Sequence, residues 1–113
     1  MNVSFAGLGE NIATFEAAAA IPAGTPVKMT ANGTVAACAA GELFIGVAVS
    51  QRGDFVGVQL KGYRSVSVTG SVTVGWAQLV ADGSGGVKAA GEEAAGVNVL
   101  VVSADTAEIG MIL

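Results

Sequence analysis

From Pro26 onward, apolar side chains recur with a period of two, the pattern of a strand with one buried and one solvated face. Val27, Met29 and Ala31 alternate with Lys28 and Thr30, Asn32-Gly33 offers two positive-φ positions for a tight hairpin turn, and Val35 and Ala37 return. Leu43 to Ser50 reads as a strongly apolar strand containing Gly46, Arg52-Gly53 turns the chain, and Phe55 to Leu60 follows. The longest alternation runs from Tyr63 to Trp76. Val66, Val68, Val72, Val74 and Trp76 share one parity and are expected to face inward, while Tyr63, Ser65, Ser67, Thr69, Ser71 and Thr73 take the other face. Gly70 is expected to bend or bulge this run, because a flat strand of such length is uncommon. Ala77 to Val80, a flexible Asp82-Gly83-Ser84-Gly85-Gly86 turn, and two last strands at Val97 to Val102 and Ala107 to Leu113 complete the series. Short strands punctuated by glycine at this spacing predict an all-β domain, a small barrel or a sandwich.

Residues 1–24 differ. They hold Gly7-Leu8-Gly9, an alanine run from Ala17 to Ala20, and Pro22, with no sustained alternation. Ala13 to Ala20 has helical propensity but is short for a helix without packing. The organisation expected is therefore an N-terminal arm, residues 1–24, ahead of a single β domain, residues 25–113. The arm carries more apolar side chains than a solvating tail would use. Phe5, Leu8, Phe15 and Ile21 are its candidate interface residues, joined by Tyr63 from the domain, with Phe5 and Phe15 as anchors for strand addition to a neighbour. The alternative is that this segment folds back as a strand of its own domain. No heptads and no internal repeat are evident.

Composition changes the picture in one respect. Charged residues make up 12% of the chain against roughly 25% in typical domains, while 52% is apolar, mostly Ala and Val. A lone soluble protein usually carries a more charged surface, so part of this one is expected to be covered by other chains. The alternative is a monomer coated in Ser, Thr, Gly and Ala. Net charge is −4, and the five basic residues form no run, which argues against nucleic acid and against a basic membrane-binding face. No stretch approaches the roughly 18 apolar residues of a membrane span. Met1-Asn2-Val3-Ser4-Phe5 shows no secretion signal, and the single Cys38 cannot form an intrachain disulfide. Synthesis in a reducing cytoplasm is the expectation.

Catalytic chemistry finds little support. The chain has no histidine, which removes Ser-His-Asp and Cys-His arrangements, and one cysteine cannot build a Cys-rich metal site. No catalytic, cofactor-binding or metal-ligating residue is assigned. Ser84 in its glycine-rich turn is a remote candidate for self-cleavage at Gly83-Ser84. Glu92-Glu93 reads as a solvated loop, and Arg52-Gly53-Asp54 as a hairpin turn.

The segments Gly24-Thr25-Pro26-Val27, Phe44-Ile45-Gly46-Val47-Ala48, Val58-Gln59-Leu60-Lys61-Gly62-Tyr63 and Gly70-Ser71-Val72-Thr73-Val74-Gly75 give the chain its one family likeness. Over residues 22–113 it resembles the bacteriophage capsid decoration, or cement, proteins and related small prophage proteins encoded near head genes. The resemblance implies a β-clip or β-tulip-like fold and a homotrimer or other small homo-oligomer. It also implies a non-enzymatic role on the outer face of a capsid, with the major capsid protein as partner, in a protein made in the bacterial host cytoplasm. Two other functions remain open: a small-molecule or glycan-binding β-module using Trp76 and Tyr63, whose expected opposite parity argues against a shared platform, and a self-processing barrel enzyme using Ser84.

Overall fold

A computed structural model describes residues 11–17, 19–91 and 95–113. The fold is all-β, as the alternation predicts, with ten strands among the described residues. Five form a closed barrel: β1 (Asn11–Ala17), β2 (Pro26–Ala31), β3 (Thr34–Ala37), β4 (Gly46–Arg52) and β5 (Phe55–Lys61), in the order β1-β3-β2-β4-β5. The other five form a second sheet: β6 (Tyr63–Ser67), β7 (Gly75–Ala81), β8 (Val87–Ala89), β9 (Val97–Ala104) and β10 (Glu108–Ile112), in the order β6-β10-β9-β7-β8. Gly62 alone separates β5 from β6.

These two sheets are the same unit used twice. In the first, β1 runs parallel to β3 and antiparallel to β5, β2 pairs with both β3 and β4, and β4 forms a hairpin with β5. In the second, β6 pairs antiparallel with β10, β7 with both β8 and β9, and β9 with β10. A parallel Val68↔Val87 bridge brings β6 to β8, as Ala17↔Val35 brings β1 to β3. The likeness reaches single residues in the last hairpin of each unit. A bulge follows Ala48 in one and Val101 in the other, leaving Ser50 opposite Gly57 and Ser103 opposite Gly110. The repeat escapes a reading of the sequence because what is shared is strand pairing, preserved by only a few identical positions.

Each unit has its own core. Ile21, Val27, Val35, Ala48, Val56 and Val58 fill the first barrel. Val66, Leu79, Val99, Val101, Ile109 and Met111 line the second, which also takes in Phe44 and Val47 from the first unit. β4 thus serves both layers: Ala48 points into its own barrel and Val47 into the neighbouring core. The loop before β4 secures the junction, since Gly41 N–H donates to the Ala81 carbonyl and Ala81 N–H to that of Glu42.

Three expectations are corrected. The arm does not extend to residue 24, because Asn11–Ala17 is the strand that closes the first barrel, paired with β5 over six positions. Of the alanines that suggested a helix, Ala13 and Ala17 face inward on that strand, and Ala19 and Ala20 are exposed in the chain beyond it. Second, the long alternating run breaks. Val66 and Val68 are buried and Val72 half-buried, but Val74 is 64% exposed and Trp76 79% exposed. Gly70 and Gly75 take φ +81° and +107°, left-handed backbone that interrupts the run on either side of Val72 and Val74, so β7 starts with its own parity. Third, Gly33 adopts positive φ, at +64°, but Asn32 does not. A bulge between Met29 and Ala31 supplies the remaining twist of that hairpin.

Candidate docking surface

The outer face of the second sheet is built from residues that strand pairing places in rows. Tyr63 on β6 lies opposite Ile112 on β10, Ile112 opposite Leu100 on β9, and Leu100 opposite Trp76 on β7. Directly paired residues point to the same side of a sheet, so these four form one apolar row across four strands. Trp76 is the most exposed, and the other three are half-buried. Polar rows flank it: Gln78 pairs with Asn98 on one side, and Ser65 with Gly110 and Gly110 with Ser103 on the other. The row contains no Asp, Glu, Lys or Arg.

Packing under the row fixes its shape. A Cβ on Gly110 would stand 2.5 Å from Tyr63 Oη and 2.8 Å from Ser103 Oγ, so the tyrosine ring lies across this glycine. On the opposite face Val99, Val101 and Met111 anchor the same strands in the core. A rigid backing of this kind suits an interaction surface, because little ordering is left to occur on binding.

The expected interface residues divide. Tyr63 belongs to the row, and Trp76 lies on its side of the sheet, which corrects the expected opposite parity of the two. Ile21, expected at an interface, is buried in the first core instead of displayed on the surface, and its N–H donates to Gln51 Oε1 at 2.8 Å. Phe15 is half-buried on the inward side of β1, opposite Val56. Phe5 and Leu8 lie outside the described residues. Two residues that the sequence did not single out hold the frame. Gln51 also donates to the Ala19 and Gly53 carbonyls, tying the chain after β1 to the barrel. Gln59, 1% exposed, donates to the carbonyls of Lys61 at 3.1 Å and Tyr63 at 2.9 Å and so clamps the junction of the two units. A glutamine inside the apolar run of β5 was the available signal, since a buried amide in a strand needs partners.

Scanned against protein-family models and against curated proteins, the chain matches none.

Polar and titratable groups elsewhere bond one another. Ser84 N–H donates to Asp82 Oδ1 at 2.6 Å, Gly86 N–H to the same oxygen at 3.0 Å, and the Thr69 hydroxyl to Asp82 Oδ2 at 2.7 Å. Desolvation works to raise the Asp82 carboxyl, but these donors outweigh it and hold the group below its usual value. Cys38 is half-buried, and its thiol is pushed up to about 11, first by desolvation and then by the neighbouring Glu42 carboxylate, against a smaller opposing effect of Lys28. Lys28 Nζ meets both Glu42 oxygens at 2.6 and 2.7 Å. That bond, with one from Ala39 N–H, lowers the Glu42 carboxyl. Among the described residues, no three His, Cys, Asp or Glu side chains gather as a metal site.

Proposed function

We propose that this chain is a non-enzymatic binding protein that associates with copies of itself and with the outer surface of a capsid, which it stabilises as a cement protein. The observation that carries the reading is the apolar row Tyr63, Ile112, Leu100 and Trp76, displayed on a sheet whose inner face packs into the second core. Burying it against protein would remove a large aromatic surface from water, and Trp and Tyr are enriched at such contacts. The low charge of the chain favours close approach between subunits, and the likeness to phage decoration proteins names the surface. The major capsid protein is the partner, and small rings of this chain, trimers among them, are the unit that binds.

Co-sedimentation with expanded, genome-emptied shells tests this. The expected result is saturable binding that raises the temperature at which the shells rupture, with the Trp76→Glu variant binding at least tenfold more weakly. A chain that leaves shell stability unchanged at saturating concentration overturns the proposal.

The shared face of Tyr63 and Trp76 gives a glycan-binding module one point in its favour. Strands are spaced about 4.8 Å apart, so β6 and β7 stand about 14 Å from each other, with Ile112 and Leu100 between them. One sugar ring cannot bridge that span, and the two intervening side chains offer it no hydrogen bond. Glycan-array binding at micromolar concentration would reverse this preference.

A further inference from the structure

The two units present the same row, and only one is covered. In the first unit the corresponding pairs are Ile12↔Gln59, Gln59↔Val47 and Val47↔Pro26. The match is fixed by the shared bulge and by the shared surroundings of a glycine: Ile12 and Ser50 stand beside Gly57 as Tyr63 and Ser103 stand beside Gly110. Of this first row, Gln59, Val47 and Pro26 are buried, and the second unit covers Val47 and Gln59. Val47, with Phe44, enters the second core, and the Gln59 amide bonds the first residue of β6. Among the described residues nothing covers the second row in this way, and its most prominent member is 79% exposed.

The receiving side shows the complementary difference. Val66, in the core that takes in Val47, is buried. Its counterpart in the first unit is Phe15, which pairs with Val56 as Val66 pairs with Ile109. Phe15 is only half-buried, and so is Leu60 beside the same core. One end of the chain therefore has an uncovered row, and the other has a barrel margin whose counterpart accepts such a row.

From this we infer that the Tyr63–Trp76 row is the seat of a second copy of this chain, docked head to tail, with the Phe15 and Leu60 margin of one copy on the row of the next. The contact repeats between chains the packing that joins the two units within one. It is heterologous, so successive copies close into a ring or continue as a filament according to the rotation between them. A patch about 14 Å across is small beside the roughly 800 Å² per partner of a standard interface. Association in free solution is therefore weak, with Kd on the order of 100 μM. The inference rests on the self-association proposed above and assigns it a geometry.

Trp76 is the only tryptophan and stands in the contact, so it reports the contact directly. The full-length chain, held at about 5 μM, is excited where tyrosine does not absorb while Trp76→Glu is titrated to about 1 mM, several times the expected Kd. The variant is non-fluorescent under these conditions and has lost its own row, but it keeps the Phe15 and Leu60 margin. The expected result is a saturable blue shift of the wild-type emission and a 1:1 complex by analytical ultracentrifugation. Titration with Trp76→Glu/Leu60→Lys, folded by circular dichroism, should give at least a tenfold weaker shift. If that double variant does not fold, the same comparison is made with Trp76→Glu/Leu60→Gln. Unchanged emission in the first titration overturns the inference, as row-on-row pairing would leave the variant unable to bind. An equal shift with the folded double variant also overturns it, since the contact would then lie elsewhere. Shell binding is measured separately. Binding without the emission shift would reject this geometry alone, and the shift without shell binding would reject the capsid reading alone.

Discussion

Asp82 joins the turn between β7 and β8 to Thr69, just beyond β6, and so holds the second unit closed where the sheet itself contributes one isolated bridge and the bond from Thr69 N–H to the Val87 carbonyl. Its carboxyl is lowered in the folded chain, so the stability it contributes is present above the unfolded value near 3.9 and is lost as pH falls through the folded value. Asp82→Ala should cost about 1 kcal/mol at pH 7, a modest figure because the group is partly solvated. The difference in Tm between variant and parent should shrink as pH drops below about 4. Equal differences at pH 7 and pH 2.5 would show that the charged form is not what matters. Cys38 allows a second test. With its thiol near 11, the thiolate fraction at pH 8 is about a hundredfold below that of an ordinary cysteine near 9. Alkylation of the native chain at pH 8 should be slower than that of the denatured chain by at least tenfold.

At the level of elements, nearly all strands from β2 onward could be read from alternation, because Val on one side and small polar residues on the other is what a half-buried strand requires. Where reading failed, the cause was local. β1 alternates Ala13, Phe15 and Ala17 inward against Ile12, Thr14 and Glu16 outward, but the alanines that follow made the segment look helical. β8 is three residues long and is defined by pairing alone. The candidate surface was half legible. Tyr63 was singled out as an interface residue, whereas the inward assignment of Trp76 carried one parity through Gly70 and Gly75, where positive φ interrupts it. Two substitutions check the corrected faces. Val47→Asp would place an unpaired charge where the units meet and should cost about 4 kcal/mol or more, enough to unfold the chain at 37 °C. Trp76→Asp, on the solvated face, should change stability by about 0.5 kcal/mol or less in thermal melts.

For the whole molecule, the shared core makes the two units unequal. The first encloses its own apolar residues, while the second is complete only with Phe44 and Val47 supplied from the first. Cutting the chain at Gly62 tests this asymmetry. The fragment 63–113 should show the narrow amide dispersion of an unfolded chain, and adding the fragment 1–62 should restore native dispersion. A folded 63–113 fragment would mean that the second core does not need its two borrowed side chains.

Closure of the first barrel by β1 and β5 also orders events in time. β1 pairs with the last strand of its unit, so the barrel cannot shut until Lys61 has left the ribosome. From then until the second unit is made, Phe44 and Val47 stand on an outer wall with nothing over them. That interval is when a nascent chain is most prone to stick to its neighbours, and slow translation beyond Gly62 would lengthen it. The yield of soluble protein should therefore depend on codon choice over residues 63–113 more than over residues 11–61.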